Sequence, residues 1–301
     1  MTIRKTCCTP RIGLTATWLL AVLLLPVLTP PVHAQASGDK DVLRVCADPY
    51  MLPFSNKKGE GYENKIAELF ARKLGDDLKY TYFPQRYGFI RNTLTKEVSH
   101  GKYACDLVIS VPENFELAAT TKPYYTSTYV LAYRKWPGME KVSTPEEFAA
   151  AAKKYSKFKM GVTDRGPGQL WVFKNDLMGN MVPYPGQPGD PKKDPGEMQM
   201  KGIAAGKIDA AIVWGPSGGY YAKKLRNQAD ISLLRLKNDP KNPEMRFEYS
   251  IAMAVRYGDK AWLAKVQQLI NNNKDQINAI LKDYNIPLLP LKESSTSGDD
   301  D

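Results

Sequence analysis

The sequence predicts a two-lobed α/β protein with a ligand-sized crevice between the lobes. Three observations carry that prediction. Strand and helix patterns alternate in βαβαβ order, which builds parallel sheets flanked by helices. Two such sets are separated by two long β-branched and aromatic runs, Thr126–Lys135 and Phe247–Tyr257, as two crossings between two bodies require. The segments 101–112 (GKYACDLVISVP) and 206–216 (GKIDAAIVWGP) also echo each other: Gly-Lys, an Asp, an apolar strand, a Pro. Each of those strands would end at the crevice, where α/β sheets place their ligands. Gly-Lys-x-Asp before a strand is also common turn chemistry, so the echo supports the prediction without deciding it.

In chain order, Val42–Cys46 reads as the first strand. A helix follows in which Tyr62, Ile66, Leu69, Phe70 and Leu74 share one face and Gly75 ends the pattern. Leu78–Phe83 reads as a strand, Phe89–Val98 as a helix and Cys105–Val111 as the third strand. After the first crossing, Thr144, Pro145 and Glu147 form a capping box with proline at the first helical position. The second set has strands near Lys159–Thr163, Ile208–Trp214 and Ile231–Leu236, and helices near Gly168–Met178 and Glu197–Ala205. The segment Pro183–Glu197 holds five prolines and three glycines, which excludes central strand and helix interior. It reads as a solvated connection or a stiff docking surface. After the second crossing, Asp259 caps a helical stretch to about Tyr284, with a break at Asn271–Asn273.

The expected organisation is a leader at 1–34, a first lobe from 40–130, a second lobe from 131–246 and a return segment to the first lobe at 247–290. A polar tail, 291–301, ends in Asp299, Asp300 and Asp301. The leader has a positive start (Arg4, Lys5, Arg11), an apolar stretch Ile12–Leu28 and a small-residue site ending at Ala34. The stretch is short for a membrane anchor and Pro26 interrupts it. Cleavage there would export the chain, leaving 267 residues with 39 Lys and Arg against 32 Asp and Glu, a net +7. That excess favours acidic partners or surfaces, and export makes nucleic acid a poor partner. The only histidines are His33 and His100, so histidine-based zinc or nucleophile sites are excluded from the reading. No metal site is expected, since contiguous carboxylates on a polar tail form no preformed cage. No cofactor is expected either. An oxidising compartment suits a disulfide between Cys46 and Cys105, both in apolar strand-like runs. Two buried free thiols are the alternative.

The pieces LRVCADPYMLPFSN, GYENKIAELFARKLG, CDLVISVP, TTKPYYTSTYVLAYRK, GKIDAAIVWGP and FEYSIAMAVR cover most of the exported chain. Together they resemble a type II periplasmic solute-binding protein. With the block PQRYGFIRNTL they resemble in particular the MxaJ/XoxJ group, encoded beside quinoprotein methanol dehydrogenases. The resemblance implies a periplasmic, non-catalytic protein with a quinoprotein methanol dehydrogenase as its partner, and a small molecule or peptide as a further occupant of the cleft. In amino-acid binders of this fold, an arginine clamps the ligand carboxylate and an aspartate holds its ammonium. Aligned here, those positions fall on Asn114 and near Gly215, so both charges are missing. The helix-entry turn is partly kept in Thr163, Arg165, Gly166 and Gly168, which would present N–H groups to an anion.

The crevice wall is instead expected to be aromatic: Tyr50 and Phe54 after the first strand, Arg86 and Tyr87 after the second, Phe115 after the third, and Trp214, Tyr220 and Tyr221 on the opposing lobe. Rigid aromatics with few fixed charges suit a peptide, a protein segment or a planar molecule. Each is also a normal core-edge residue. Three functions from different classes follow. The first is an accessory factor that assists assembly or activation of the dehydrogenase. The second is a receptor delivering a solute to an ABC transporter. The third is an enzyme on the same scaffold, like the cyclohexadienyl dehydratases; Glu113 is its one candidate base, with no second carboxylate or nucleophile beside it.

Overall fold

The computed structural model describes residues 41–291. The expected leader lies outside the described residues, as does all of the tail beyond Leu291. Among the described residues, no helix is long and apolar enough to cross a membrane.

The first lobe is built on β1 (Val42–Ala47), parallel to both β2 (Asp77–Tyr82) and β3 (Leu107–Pro112), with Val45 opposite Tyr80 on one side and Leu107 on the other. Helix α1 (Tyr62–Leu74) connects β1 to β2, as a parallel pair requires. It lays Tyr62, Ile66, Leu69 and Phe70 on the sheet and stops at Gly75, whose φ of 79° is the left-handed conformation that glycine adopts without penalty. Helix α2 is a single turn, Phe89–Asn92.

The expected helix over Phe89–Val98 therefore ends early. Thr93 turns its hydroxyl back onto the Phe89 carbonyl at 2.6 Å, and the chain then forms a hairpin, Glu97–Ser99 against Lys102–Tyr103, turning at Gly101 with φ 70°. Two β-branched threonines and a glycine outweigh the apolar spacing there.

The long strand β4 (Tyr125–Arg134) carries the chain into the second lobe. There, α3 (Pro145–Lys154) starts with the reciprocal Thr144–Glu147 box, a cap worth about 1 kcal/mol. Strands β5 (Met160–Thr163), β6 (Met181–Tyr184) and β7 (Ala210–Trp214) follow, with α4 (Pro167–Lys174) and α5 (Pro195–Ala204) between them. Pro183 sits in β6, at the edge of the sheet, where its missing N–H costs nothing. Next come α6 (Gly215–Lys224) and β8 (Ile231–Arg235), then β9 (Glu248–Val255), which returns to the first lobe. Helices α7 (Lys260–Asn272) and α8 (Lys274–Asp283) break at Asn273, and the described chain closes on the short β10 (Leu288–Leu289).

Hydrogen bonding joins the strands in the order β6-β5-β7-β4-β9-β3-β1-β2. Within β4, residues Tyr125–Thr128 pair with β9, and Ser127 and Thr126 also with β10, whereas Val130–Arg134 pair with β8 and Tyr129–Tyr133 also with β7, Tyr129 opposite Trp214. Tyr129 stands at the change of partners. The core follows the same division. Leu43, Val45, Ile66, Phe70, Ile109, Met253 and Leu281 pack in the first lobe, while β4 sends Leu131 and Tyr133 to one second-lobe core and Val130 and Ala132 to the other. Period-two alternation on a strand buried on both faces produces that split.

Cys46 and Cys105 are bonded, with Cα atoms 5.4 Å apart. The pair belongs to a small apolar cluster with Phe89, Ile90, Leu94 and Val108. Beside it, Arg256 donates to the Cys105 carbonyl at 2.6 Å and pairs with Asp106 at 2.8 Å, and Arg44 takes the other Asp106 oxygen at 2.6 Å.

Candidate functional site

Three cavities meet where the two lobes face each other, and Gln85 lines all of them. The first is a trough of about 410 Å³ at the point where β4 changes partners, walled by Phe54, Tyr129, Trp214, Tyr249 and Ile251 and floored by Ser110 to Pro112. Its rings touch: Tyr129 lies 5.3 Å from Trp214, and Trp214 lies 5.9 Å from Tyr249 at 83°. Arg246 stacks on the outer face of Tyr249 at 4.7 Å. None of the residues lining the trough is charged.

The second cavity is a bowl of about 490 Å³ on the first lobe, lined by Tyr87, Ile90, Val111, Phe115 and Leu117, with Arg86 and Arg91 at its margin. Tyr87 is 86% exposed and Leu117 61%. The third is a narrow gap between Asp48, Tyr50 and Met51 on one side and the proline-rich segment on the other.

A buried polar network supports the floor. Ser110 Oγ is within hydrogen-bond distance of Tyr62 Oη (3.2 Å) and Tyr124 Oη (3.1 Å), and Tyr62 Oη lies 3.0 Å from Tyr125 Oη. Glu63 is buried in the same place; desolvation pushes its carboxyl up to about 8, with Ser110 as its hydrogen-bond partner and Oε1 left without one. Glu63 is therefore a neutral acid through most of the physiological range. Asp48, also raised by burial, accepts from the main-chain N–H groups of Tyr50 (2.7 Å) and Gln85 (2.5 Å), which hold the β1 and β2 exits together.

The structure brings together six of the sequence-predicted wall residues: Phe54 and Trp214 in the trough, Arg86, Tyr87 and Phe115 at the bowl, and Tyr50 in the gap, with Lys192 5.8 Å over its ring. It does not bring Tyr220 and Tyr221 to these cavities. Both sit on α6 and close the lobes behind the cleft: Tyr221 is buried and donates to the Leu52 carbonyl at 3.3 Å, and Tyr220 stacks on Tyr284 at 5.9 Å. α6 continues directly from β7 and presses its glycines on the return segment, which turns the two tyrosines away from the trough. Asn114 adopts φ 60° and lines none of the three cavities. Thr163, Arg165 and Gly166 form a tight turn closed on itself: Gly166 N donates to Thr163 O at 3.0 Å and Arg165 N to the Gln169 side chain at 3.2 Å.

Gly215 has no room for a carboxylate. A Cβ there would stand 2.3 Å from the Thr128 carbonyl and 2.7 Å from Pro287. Tyr129, Tyr249, Ser110 and Glu63 were not singled out from sequence. Glu63 was legible, because it follows Tyr62 on the same buried helical stripe as Ala67 and Phe70. Tyr129 and Tyr249 sit inside long strands and give no signal until the sheet opens at their position. Among the described residues, no group of three or more His, Cys, Asp or Glu stands close enough to hold a metal ion.

No family model matches the chain. It is similar to protein MoxJ of Methylorubrum extorquens, 27% identical over 294 residues that cover 90% of this chain and 93% of that protein. It is also similar to protein MoxJ of Paracoccus denitrificans, 24% identical over 265 residues, 85% and 92% of the two chains. Among solved structures it is similar to the periplasmic binding protein XoxJ from Methylobacterium extorquens AM1, with a TM-score of 0.64 and 28% identity over 83% of this chain and all of that one. MxaJ from Methlophaga aminisulfidivorans MPT superposes with a TM-score of 0.66 at 23% identity, covering 82% of this chain and all of that one. An ancestral cationic amino-acid solute-binding protein shares the fold at a TM-score of 0.59 and 18% identity, over 81% of this chain and 95% of its own.

Proposed function

We propose that this chain, a homologue of the MoxJ, MxaJ and XoxJ proteins with the two-lobed fold of type II periplasmic binding proteins, is a non-catalytic accessory factor of a quinoprotein methanol dehydrogenase. On this reading it is exported to the periplasm and assists the enzyme's assembly or activation through its cleft. The observation that carries the reading is the uncharged trough of Phe54, Tyr129, Trp214 and Tyr249 opening onto the apolar bowl. Large rings held rigid by one another present apolar area at little entropic cost, which suits a segment of a protein. A free amino acid would bury two charges there without partners, at several kcal/mol each. The trough supplies no paired carboxylates; the Ser110 hydroxyl in its floor is engaged by tyrosine hydroxyls, and Glu63 beside it is a buried neutral acid rather than an exposed base.

The second reading is a receptor for a small solute handed to a transporter; the fold shared with amino-acid binders favours it. Incubating the purified protein with periplasmic extract separates the two. Retention of a dehydrogenase subunit supports the accessory role, and native mass spectrometry showing a retained small molecule with no protein partner overturns it.

A further inference from the structure

The proline-rich segment between β6 and α5 crosses from the second lobe to the first as a strap. Its residues 185–193 are solvent-exposed except Pro188, which is buried. Arg86 of the first lobe holds it by hydrogen bonds. The Arg86 guanidinium donates to the carbonyl oxygens of Pro188 (2.5 Å) and Asp190 (2.7 Å), on either side of the strap's Gly189. Lys192 rests over Tyr50 from the strap side. Gln187, next to the buried proline, lines both the gap beneath the strap and the apolar bowl outside it. The strap is therefore the wall between two cavities that Gln85 otherwise joins to the trough.

Arg86 makes this clasp with neutral acceptors. Its fork of donors matches the two oxygens of one carboxylate better than two carbonyls of different residues, and a carboxylate adds an opposite charge that a carbonyl lacks. Asp48, the nearby carboxylate whose charge Arg86 stabilises, is already committed to the main-chain N–H groups of Tyr50 and Gln85. The guanidinium is thus a cation at the mouth of an apolar cleft, waiting on acceptors that a better one displaces.

We propose that Arg86 is an exchangeable clasp: it holds the strap shut in the free protein, and an acidic aromatic segment of a partner takes it over, releasing the strap and merging the three cavities into one channel. The proposal rests on the reading that the cleft is the working surface, and it names the partner chemistry for that surface. Carboxylates answer Arg86 and Arg91, and rings or aliphatic side chains answer Tyr87, Phe115 and Leu117.

Tryptic cleavage of the native protein at Lys192–Lys193, followed by mass spectrometry, reads strap release. Cleavage at exposed Lys57 and Lys58 serves as the internal reference. The probe is an end-blocked pentapeptide, Asp-Phe-Asp-Phe-Asp, with the Asn-Phe-Asn-Phe-Asn peptide as its neutral counterpart. Loss of both clasp bonds is expected to raise strap cleavage about tenfold in Arg86→Ala. The acidic peptide is expected to raise it similarly in the wild type and to add nothing in the variant, while the neutral peptide leaves the wild type unchanged. Arg86→Lys, which keeps the charge and loses the fork, is expected to resemble Arg86→Ala without peptide. A strap cleaved at the wild-type rate in Arg86→Ala overturns the clasp. Equal effects of the two peptides, or an acidic-peptide effect that survives in the variant, overturn the exchange. If Arg86→Ala misfolds, the reference sites show it and the wild-type peptide arm decides alone. A clasp that behaves as described beside a dehydrogenase indifferent to the trough residues would remove the accessory reading and leave the clasp standing; the reverse result would remove only the clasp.

Discussion

Replacing Glu63 by glutamine should make the protein more stable, and increasingly so as the pH rises. The carboxyl's ordinary value is 4.5, and burial lifts it to about 8. Between those values the unfolded chain releases this proton and the folded chain keeps it. Stability then falls as pH rises, by about 1.4 kcal/mol per unit. Below pH 4.5 the group is protonated in both states and has no effect on the pH dependence. Integrated over the window, the cost is roughly 3 kcal/mol at pH 7 and roughly 4 kcal/mol at pH 8, levelling off above the folded value. Glu63→Gln keeps the shape and an oxygen for the Ser110 hydroxyl while removing the titration. Any fixed cost of the unpartnered amide, in the place of the unpartnered Oε1, is the same at every pH. Urea denaturation of both proteins from pH 4.5 to 9 gives the difference directly. The expected result is a gap that widens in favour of the variant by at least 2 kcal/mol between pH 5 and pH 8. Parallel stability curves would refute the reasoning, since they would mean that Glu63 ionises in the folded protein at its ordinary value.

Thiol labelling of the chain from residue 35 onward, denatured without reductant, should find no free cysteine, and reduction should cost about 4 kcal/mol for a loop with a sequence separation of 59 residues; quantitative labelling of both sulfurs would contradict it. Gly61→Ala should destabilise the protein by about 3 kcal/mol in denaturant unfolding, because the added Cβ would stand 2.0 Å from the Phe54 carbonyl and both sides are main chain; an effect below 1 kcal/mol would show that the β1–α1 connection yields freely. Titration calorimetry with free amino acids at millimolar concentration should give no binding heat, and Gly215→Asp should lower stability without creating a site, given the 2.3 Å approach to Thr128; micromolar affinity for any amino acid would contradict the absence of its charge clamps.

The fold was legible because its long-range plan is written in local patterns. The β-branched and aromatic runs of β4 and β9, the α1 stripe ending at Gly75 and the Thr144 box each specify their element and agree with one another. What escaped were the places where tertiary contact overrides propensity. The α6 sequence GPSGGYYAKK has glycines at 215, 218 and 219, which disfavour a helix, and the sequence patterns assign no element there. It is helical because those glycines lie against Thr128, Val130 and the Asn285 carbonyl, closer than any side chain would allow. That packing sends Tyr220 and Tyr221 behind the cleft. The site was legible in kind and only partly in membership. An aromatic wall was expected and the cavities have one, but Tyr129 and Tyr249 were hidden inside strands whose faces open only where β4 changes partners. The strap was legible as neither helix interior nor central strand, while its attachment through Arg86 lies 102 residues away in sequence and leaves no local mark.

On the proposed function, the trough between the lobes is the surface through which this protein serves a quinoprotein methanol dehydrogenase. The most direct measurement is methanol dehydrogenase activity in periplasm from cells carrying Trp214→Ala with Tyr249→Ala, compared with cells carrying Lys57→Ala with Lys58→Ala on the exposed β1–α1 connection. The account predicts loss of most activity with the trough pair, at undiminished levels of the folded variant, and near-normal activity with the lysine pair. Full dehydrogenase activity with the trough pair folded and present would contradict it.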